Sequence, residues 1–282
     1  MNTTIKANAA GTVTIGDAVV ARMGFGAMRL CGQGVWGWPN DRPNALAVLR
    51  RAVELGVDFI DTADAYGPAV NEEQIAQALR PYPRGLVIAT KGGSTRSGPG
   101  QWGRDCRPER LKQACEECLR RLRLDAIHLY QLHAVDPKVP FAEQIGALID
   151  LQQEGKIRYI GLSNVDADQL AAARAITSVA SVQNRYNFAD RTSEPVLEAC
   201  ERDGVTFIPW FPLDAGDIHE NSTLREIARS RNASPWQVGL AWLLRRSKAM
   251  LPIPGTASLA HVQENVAAAG IELNATEFEK LA

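Results

Sequence analysis

Net charge is nearly absent from this chain of 282 residues: it stands at −1, with a sequence pI of about 6.5. So balanced a chain exerts no long-range pull on nucleic acid or an anionic membrane, and neither is expected as a partner. Long apolar runs are missing too. No stretch approaches the roughly 18 apolar residues of a membrane span, and the opening "MNTTIKANAAGTVTIG" lacks the apolar centre of a secretory signal. A cytoplasmic location is the default expectation. Cysteine is sparse, five in all, odd in number and without framework spacing, which excludes a disulfide scaffold and indicates free thiols. Cys115 and Cys118 form a C-x-x-C, but within the helical pattern "PERLKQACEECLRRL" and with no second pair to complete a zinc site. Asn2, Asn221, Asn232 and Asn274 match the glycosylation pattern, which carries no meaning without a secretory signal.

What the chain does contain is 45% hydrophobic and 22% charged residues, enough to bury a sizeable core. After an opening that reads as a hairpin, extended apolar runs alternate with helical patterns. Strands are expected at 22–25, 57–61, 86–91, 126–133, 158–163, 181–184, 205–210 and 250–254. Helices are expected around 44–55, 71–80, 108–122, 140–154, 166–176, 192–203, 235–246 and 259–268. Pro108 suits a first helical position, Asp166 and Thr192 suit N-caps, and Gly56, Gly155 and Gly204 close helices. Such alternation indicates βαβ units, and about eight of them predict an α/β fold of the (β/α)8 TIM-barrel type. It carries a short N-terminal β-hairpin and spans 1–282 as a single domain. A segment at 213–234 reads as a loop insertion with a short helix. The doubly wound alternative needs a nucleotide fingerprint; "GFGAMR" supplies Gly24 and Gly26 but has Arg29 at the third glycine.

Parity then places polar groups. Inward rows run Val57, Phe59, Asp61, then Val87, Ala89, Lys91, then Ile127, Leu129, Gln131, His133, each ending in a polar residue. Strand five ends at Ser163 and Asn164, strand six near Gln183 and Asn184, strand seven at Trp210. Barrel active sites lie at these carboxyl ends. Singly, each residue has a structural explanation: Asp61 as a turn cap, Tyr66 as loop packing, Lys91 as a solvated strand end. Together an acid, a phenol, an amine and an imidazole converge on one rim. A tyrosine titrates near pH 10, and a lysine ammonium within hydrogen-bond reach is expected to lower that value. Asp61 then aims Lys91, His133 orients a carbonyl oxygen, and the set suits protonation of an alkoxide as hydride reaches carbon. His128 falls on the outward parity, toward the helices, in a structural role.

The motifs "DTADAYG" (61–67), "TKGG" (90–93), "LYQLHAVDP" (129–137), "EGKIRYIGLSN" (154–164), "VQNRYN" (182–187), "IPWFPL" (208–213) and "IPGTASLAHVQEN" (253–265) occur in this order over nearly the whole chain. With them the chain resembles the aldo-keto reductase superfamily. That resemblance implies a metal-free barrel that reduces an aldehyde or ketone with NADPH, with Asp61, Tyr66, Lys91 and His133 as a catalytic tetrad and Tyr66 as proton donor. It further implies Ser163, Asn164 and Gln183 at the nicotinamide carboxamide, Trp210 stacked on that ring, and Pro212 and Leu213 along the cofactor. Gly255, Thr256, Ser258, His261, Glu264 and Asn265 match its adenosine end. The chain departs from the family at Gly255 and Ala257, where a lysine or arginine is frequent, and at His261, where an arginine is common. That leaves NADH open beside NADPH. "GQGVWG" and the last two motifs resemble a bacterial subgroup that includes pyridoxal reductases, which suggests pyridoxal or another small aromatic aldehyde. Trp36, Trp38 and Trp102 either wall the substrate pocket or anchor loops. The expected assembly is a monomer or weak homo-oligomer. Two rivals stand: Lys91 as a Schiff-base nucleophile of aldolase type, and a nucleotide-binding regulatory subunit without turnover.

Overall fold

The computed structural model describes residues 4–281. A hairpin of β1 (Thr12–Ile15) and β2 (Ala18–Ala21) opens the chain. The first units are β3 (Phe25–Gly26), α1 (Arg42–Glu54), β4 (Phe59–Asp61), α2 (Val70–Leu79) and β5 (Val87–Gly92). A second hairpin follows, β6 (Ser94–Gly98) and β7 (Gln101–Arg104). Then come α3 (Pro108–Leu122), β8 (Ile127–Leu132), α4 (Phe141–Gln153), β9 (Ile157–Ser163) and α5 (Ala167–Arg174). Next are β10 (Ser181–Arg185), α6 (Glu194–Asp203), β11 (Thr206–Trp210) and α7 (Ser222–Ser230). The chain continues through α8 (Pro235–Arg246), α9 (Leu259–Ala267) and α10 (Ala275–Glu279).

β3, β4, β5, β8, β9, β10 and β11 form one parallel sheet in that order. The expected eighth strand at 250–254 is not a regular strand. Phe207 donates to Ala249 O and Leu251 donates to Phe207 O, both at 2.9 Å, while Gly24 donates to Pro252 O at 3.0 Å. This segment therefore links β11 to the residues just before β3 and completes the ring of a (β/α)8 barrel. Pro252 and Pro254 have no N–H, so a full ladder cannot form on both sides. The first stave is also shorter than expected, Phe25–Gly26 in place of 22–25.

Inside the ring, Phe59, Val87, Ala89, Leu129, Ile208 and Leu251 pack on Val13, Ile15 and Val20 of the first hairpin. Thr206 Oγ1, at the start of β11, donates to Thr14 O at 2.9 Å, so the hairpin plugs the end opposite the carboxyl ends of the strands. Val57 and Ile127, expected inward, belong instead to the outer core between sheet and helices. His128 bonds the hairpin through Ile15 O (2.9 Å) rather than facing the helices. Helix ends follow local chemistry: Pro108 opens α3, Asp166 caps α5 through a capping box, and Gly204 closes α6 at φ +67°. Ser193, not Thr192, stands at the N-cap of α6. The β6–β7 hairpin and α10 were not expected from the sequence. All five cysteines are free, Cys115 and Cys118 buried on α3.

Candidate active site

The rim is built by register. Lys91 of β5 stands opposite Gln131 of β8, and Asp61 of β4 lies two register positions lower, opposite Ala89. Lys91 is fully buried, and its Nζ donates to Asp61 Oδ1 at 2.6 Å, Thr62 O at 2.8 Å and Tyr66 OH at 3.4 Å. Asp61 Oδ2 accepts from Gln183 Nε2 (2.8 Å) and Gln131 Nε2 (3.2 Å), so both carboxylate oxygens are satisfied. Gly161 of β9 makes room for Gln131: a Cβ there would lie 2.8 Å from Gln131 Cγ. The turn carrying Tyr66 is pinned to β5, since Thr62 N donates to Ala89 O (2.8 Å) and Asp64 N to Lys91 O (3.3 Å). Thus strand pairing and one buried ion pair fix where the phenol sits.

The electrostatics differ in one respect from the expectation. Tyr66 is not lowered on balance: burial raises its pKa, Lys91 pulls it down and Asp61 pushes it up, leaving it above the ordinary phenol value. Burial pulls the Lys91 pKa down, but the Asp61 carboxylate and Tyr66 outweigh it and hold the ammonium charged. Burial, with Lys91 and Arg96 nearby, drives His133 well below the ordinary imidazole value, so the ring is neutral. His133 Nδ1 is buried without a hydrogen-bond partner, and the ring meets Tyr66 edge-on at 5.8 Å between centroids.

A cavity of about 860 Å³ opens above these groups. Asp61, Tyr66 and His133 line it, while Lys91 lies beneath them. Ser163, Asn164, Gln183 and Trp210 form an adjoining wall. Asn164, in the left-handed region at φ +57°, donates to His133 O (2.9 Å) and Ser163 Oγ (3.0 Å). Its Oδ1 accepts from Trp210 Nε1 at 3.1 Å. Pro212 and Leu213 continue the wall to Gly255, Thr256, His261, Glu264 and Asn265. Ser258 is not among the lining residues; its Oγ accepts from His261 N and caps α9. A Cβ on Gly255 would lie 2.3 Å from Gly26 O, so the backbones there touch and no lysine fits at this position without a backbone shift.

Of Trp36, Trp38 and Trp102, the last alone lines the cavity. Trp36 bridges to Gly67 and Trp38 stacks under Arg42 at 3.8 Å, so both hold the loop after β3. The sequence reading missed Gln131 as a partner of Asp61, although it stood in the inward row. It also missed Arg29 and Arg104, which line the cavity; the short turn and the hairpin strand that carry them show no apolar period. Among the described residues no group of three or more His, Cys, Asp or Glu is placed to hold a metal ion. No helix among them is long and apolar enough to cross a membrane.

Comparison with known proteins agrees with this architecture. The model of the Aldo/keto reductase family matches residues 22–282. An uncharacterized oxidoreductase of Schizosaccharomyces pombe is 46% identical over 278 residues, covering 98% of this chain and 90% of that protein. Pyridoxine 4-dehydrogenase of Escherichia coli is 43% identical over 269 residues, covering 93% and 94%. An aldo-keto reductase of Klebsiella pneumoniae in complex with NADPH superposes with a TM-score of 0.82 at 29% identity, covering 99% of this chain and 94% of that one. A match over nearly the whole chain, on a barrel with a polar rim at its strand ends, makes this protein an oxidoreductase belonging to the aldo/keto reductase family.

Proposed function

We propose that this protein reduces an aldehyde or ketone to an alcohol using NADPH, with Tyr66 as proton donor and Lys91, Asp61 and His133 in support. The observation that carries this reading is the Lys91 ammonium held between Asp61 and Tyr66 beneath the cavity. The whole of 1–282 serves as one barrel domain in this reading.

The cavity suits a dinucleotide. It runs from the tetrad past the flat ring of Trp210 to Gly255 and the start of α9, where free backbone N–H groups at a helix N-terminus suit a phosphate. Ser163, Asn164 and Gln183 would hold the carboxamide, and Thr256, His261, Glu264 and Asn265 the adenosine end. When bound, the cofactor supplies hydride to the carbonyl carbon. Neutral His133 orients the carbonyl oxygen by a hydrogen bond. As negative charge develops on that oxygen, Tyr66 passes it the phenolic proton, and the nearby ammonium stabilises the phenolate left behind. Lys91 is unsuited to a Schiff base, because it has no exposed surface and its ion pair opposes the neutral amine that such chemistry needs.

Pyridoxal is the substrate we favour, because a relative at 43% identity is named pyridoxine 4-dehydrogenase and Trp102 adds an aromatic wall beside Tyr66. NADPH oxidation with a panel of aldehydes and ketones that includes pyridoxal tests the reading. Turnover with ring-bearing aldehydes is expected, whereas cofactor binding with no turnover of any carbonyl overturns it.

A further inference from the structure

The stretch "GGSTRSGPGQWGRD" at 92–105 has no apolar pattern, yet it folds as the β6–β7 hairpin with a register shift between Arg96 and Gly98. Bulges re-aim side chains, and this one lies beside an active site. Arg96 is half-buried, and all five N–H groups of its guanidinium have carbonyl acceptors. Nε donates to Gln101 O at 3.1 Å; Nη1 to Val35 O at 2.8 Å and Ala65 O at 3.2 Å; Nη2 to Gly34 O at 2.6 Å and Gly98 O at 3.3 Å. One side chain thus joins the loop after β3, the residue preceding Tyr66 and both arms of the hairpin. The same guanidinium stacks on Trp102 at 3.8 Å. Trp102 meets Tyr66 at 6.4 Å and His133 at 6.2 Å, both edge-on, yet remains 47% exposed.

An exposed indole on a hairpin rich in glycine and serine would ordinarily sample several rotamers. Stacking under a fully bonded guanidinium holds one ring face and leaves the opposite face for a ligand. We propose that Arg96 is a positioning residue that sets substrate range, a proposal that rests on the reductase reading above. By fixing Trp102 against Tyr66 and His133, it gives the substrate end of the cavity a rigid aromatic wall. Such a wall favours flat, ring-bearing aldehydes over flexible aliphatic ones, because the ordering is done before binding.

The test is steady-state kinetics of the full chain at saturating NADPH with 4-nitrobenzaldehyde and butanal, for wild type, Arg96→Met, Trp102→Ala and the double variant. Arg96→Met is expected to raise KM for the aromatic aldehyde about tenfold. Its kcat, and the KM for butanal, should stay within about threefold. The double variant should be no worse than Trp102→Ala alone, because the two side chains act as one unit. Arg96→Lys should not rescue, since an ammonium cannot fork to five carbonyls; it replaces Arg96→Met in the cycle if that variant does not fold. Additive effects, equal loss on both aldehydes, or a kcat loss at unchanged KM would overturn the proposal. Failure of the reductase reading looks different: wild type then oxidises NADPH with neither aldehyde, and both proposals fall.

Discussion

Tyr66 sits between opposing influences. Burial holds its proton on, while the ammonium 3.4 Å away makes the phenolate tolerable once the proton has left. A donor needs both: it must stay protonated at rest and be acidic toward an alkoxide. Tyr66→Phe removes that oxygen alone and should lower kcat by roughly 10²–10⁴-fold. NADPH affinity, followed by tryptophan fluorescence, should hardly change. Asp64, on the same turn, is buried with Oδ1 unpartnered, and burial followed by the nearby Glu72 pushes it up to about 7. The unfolded chain would titrate near 3.9. The folded state therefore keeps this proton to higher pH than the unfolded chain does. The stability it contributes is complete below about pH 4 and is lost as pH rises toward 7. Asp64→Asn should raise Tm at pH 8 and leave it nearly unchanged at pH 4, a difference that melts at the two values would reveal.

Among the elements, legibility followed periodicity. The rim positions of Lys91 and His133 were legible because each ends a row that also holds Ala89 or Leu129 of the inner core, although β5 and β8 are buried at almost every residue and do not alternate between a wet and a dry face. Arg96 was invisible because the β6–β7 hairpin is glycine- and serine-rich and largely open to solvent, so no buried face imposes a pattern. The eighth stave read as a strand from its apolar residues, but its two prolines limit the ladder. Trp36 and Trp38 were ambiguous for another reason: an indole on a loop looks the same in sequence whether it faces a ligand or an arginine. The corner where Gly255 meets Gly26 carries its own prediction. Gly255→Lys would install the cation frequent in the family, but the added Cβ meets backbone. Overpacking should cost about 1–3 kcal/mol, read as a lower Tm, without tightening NADPH. With no fixed cation at 255 or 257, wild type should bind NADPH and NADH within about tenfold of each other.

At the scale of the molecule, the ring depends on partners far apart in sequence. Arg22 donates to Leu244 O at 2.8 Å and Met250 O at 3.2 Å, and also to Ser247 O, just below the joint where Gly24 meets Pro252. A chain stopped after Arg246 keeps every regular strand of the sheet but loses the segment between β11 and β3, exposing two unpaired edges. Such a truncation should elute as aggregates in gel filtration and bind a hydrophobic dye, whereas a compact monomer would contradict this account of ring closure. The same joint bears on synthesis. A ribosome must extrude the chain through Pro252 before the first stave meets its final neighbour, so a nascent barrel keeps an open flank until those far later residues emerge to shield it.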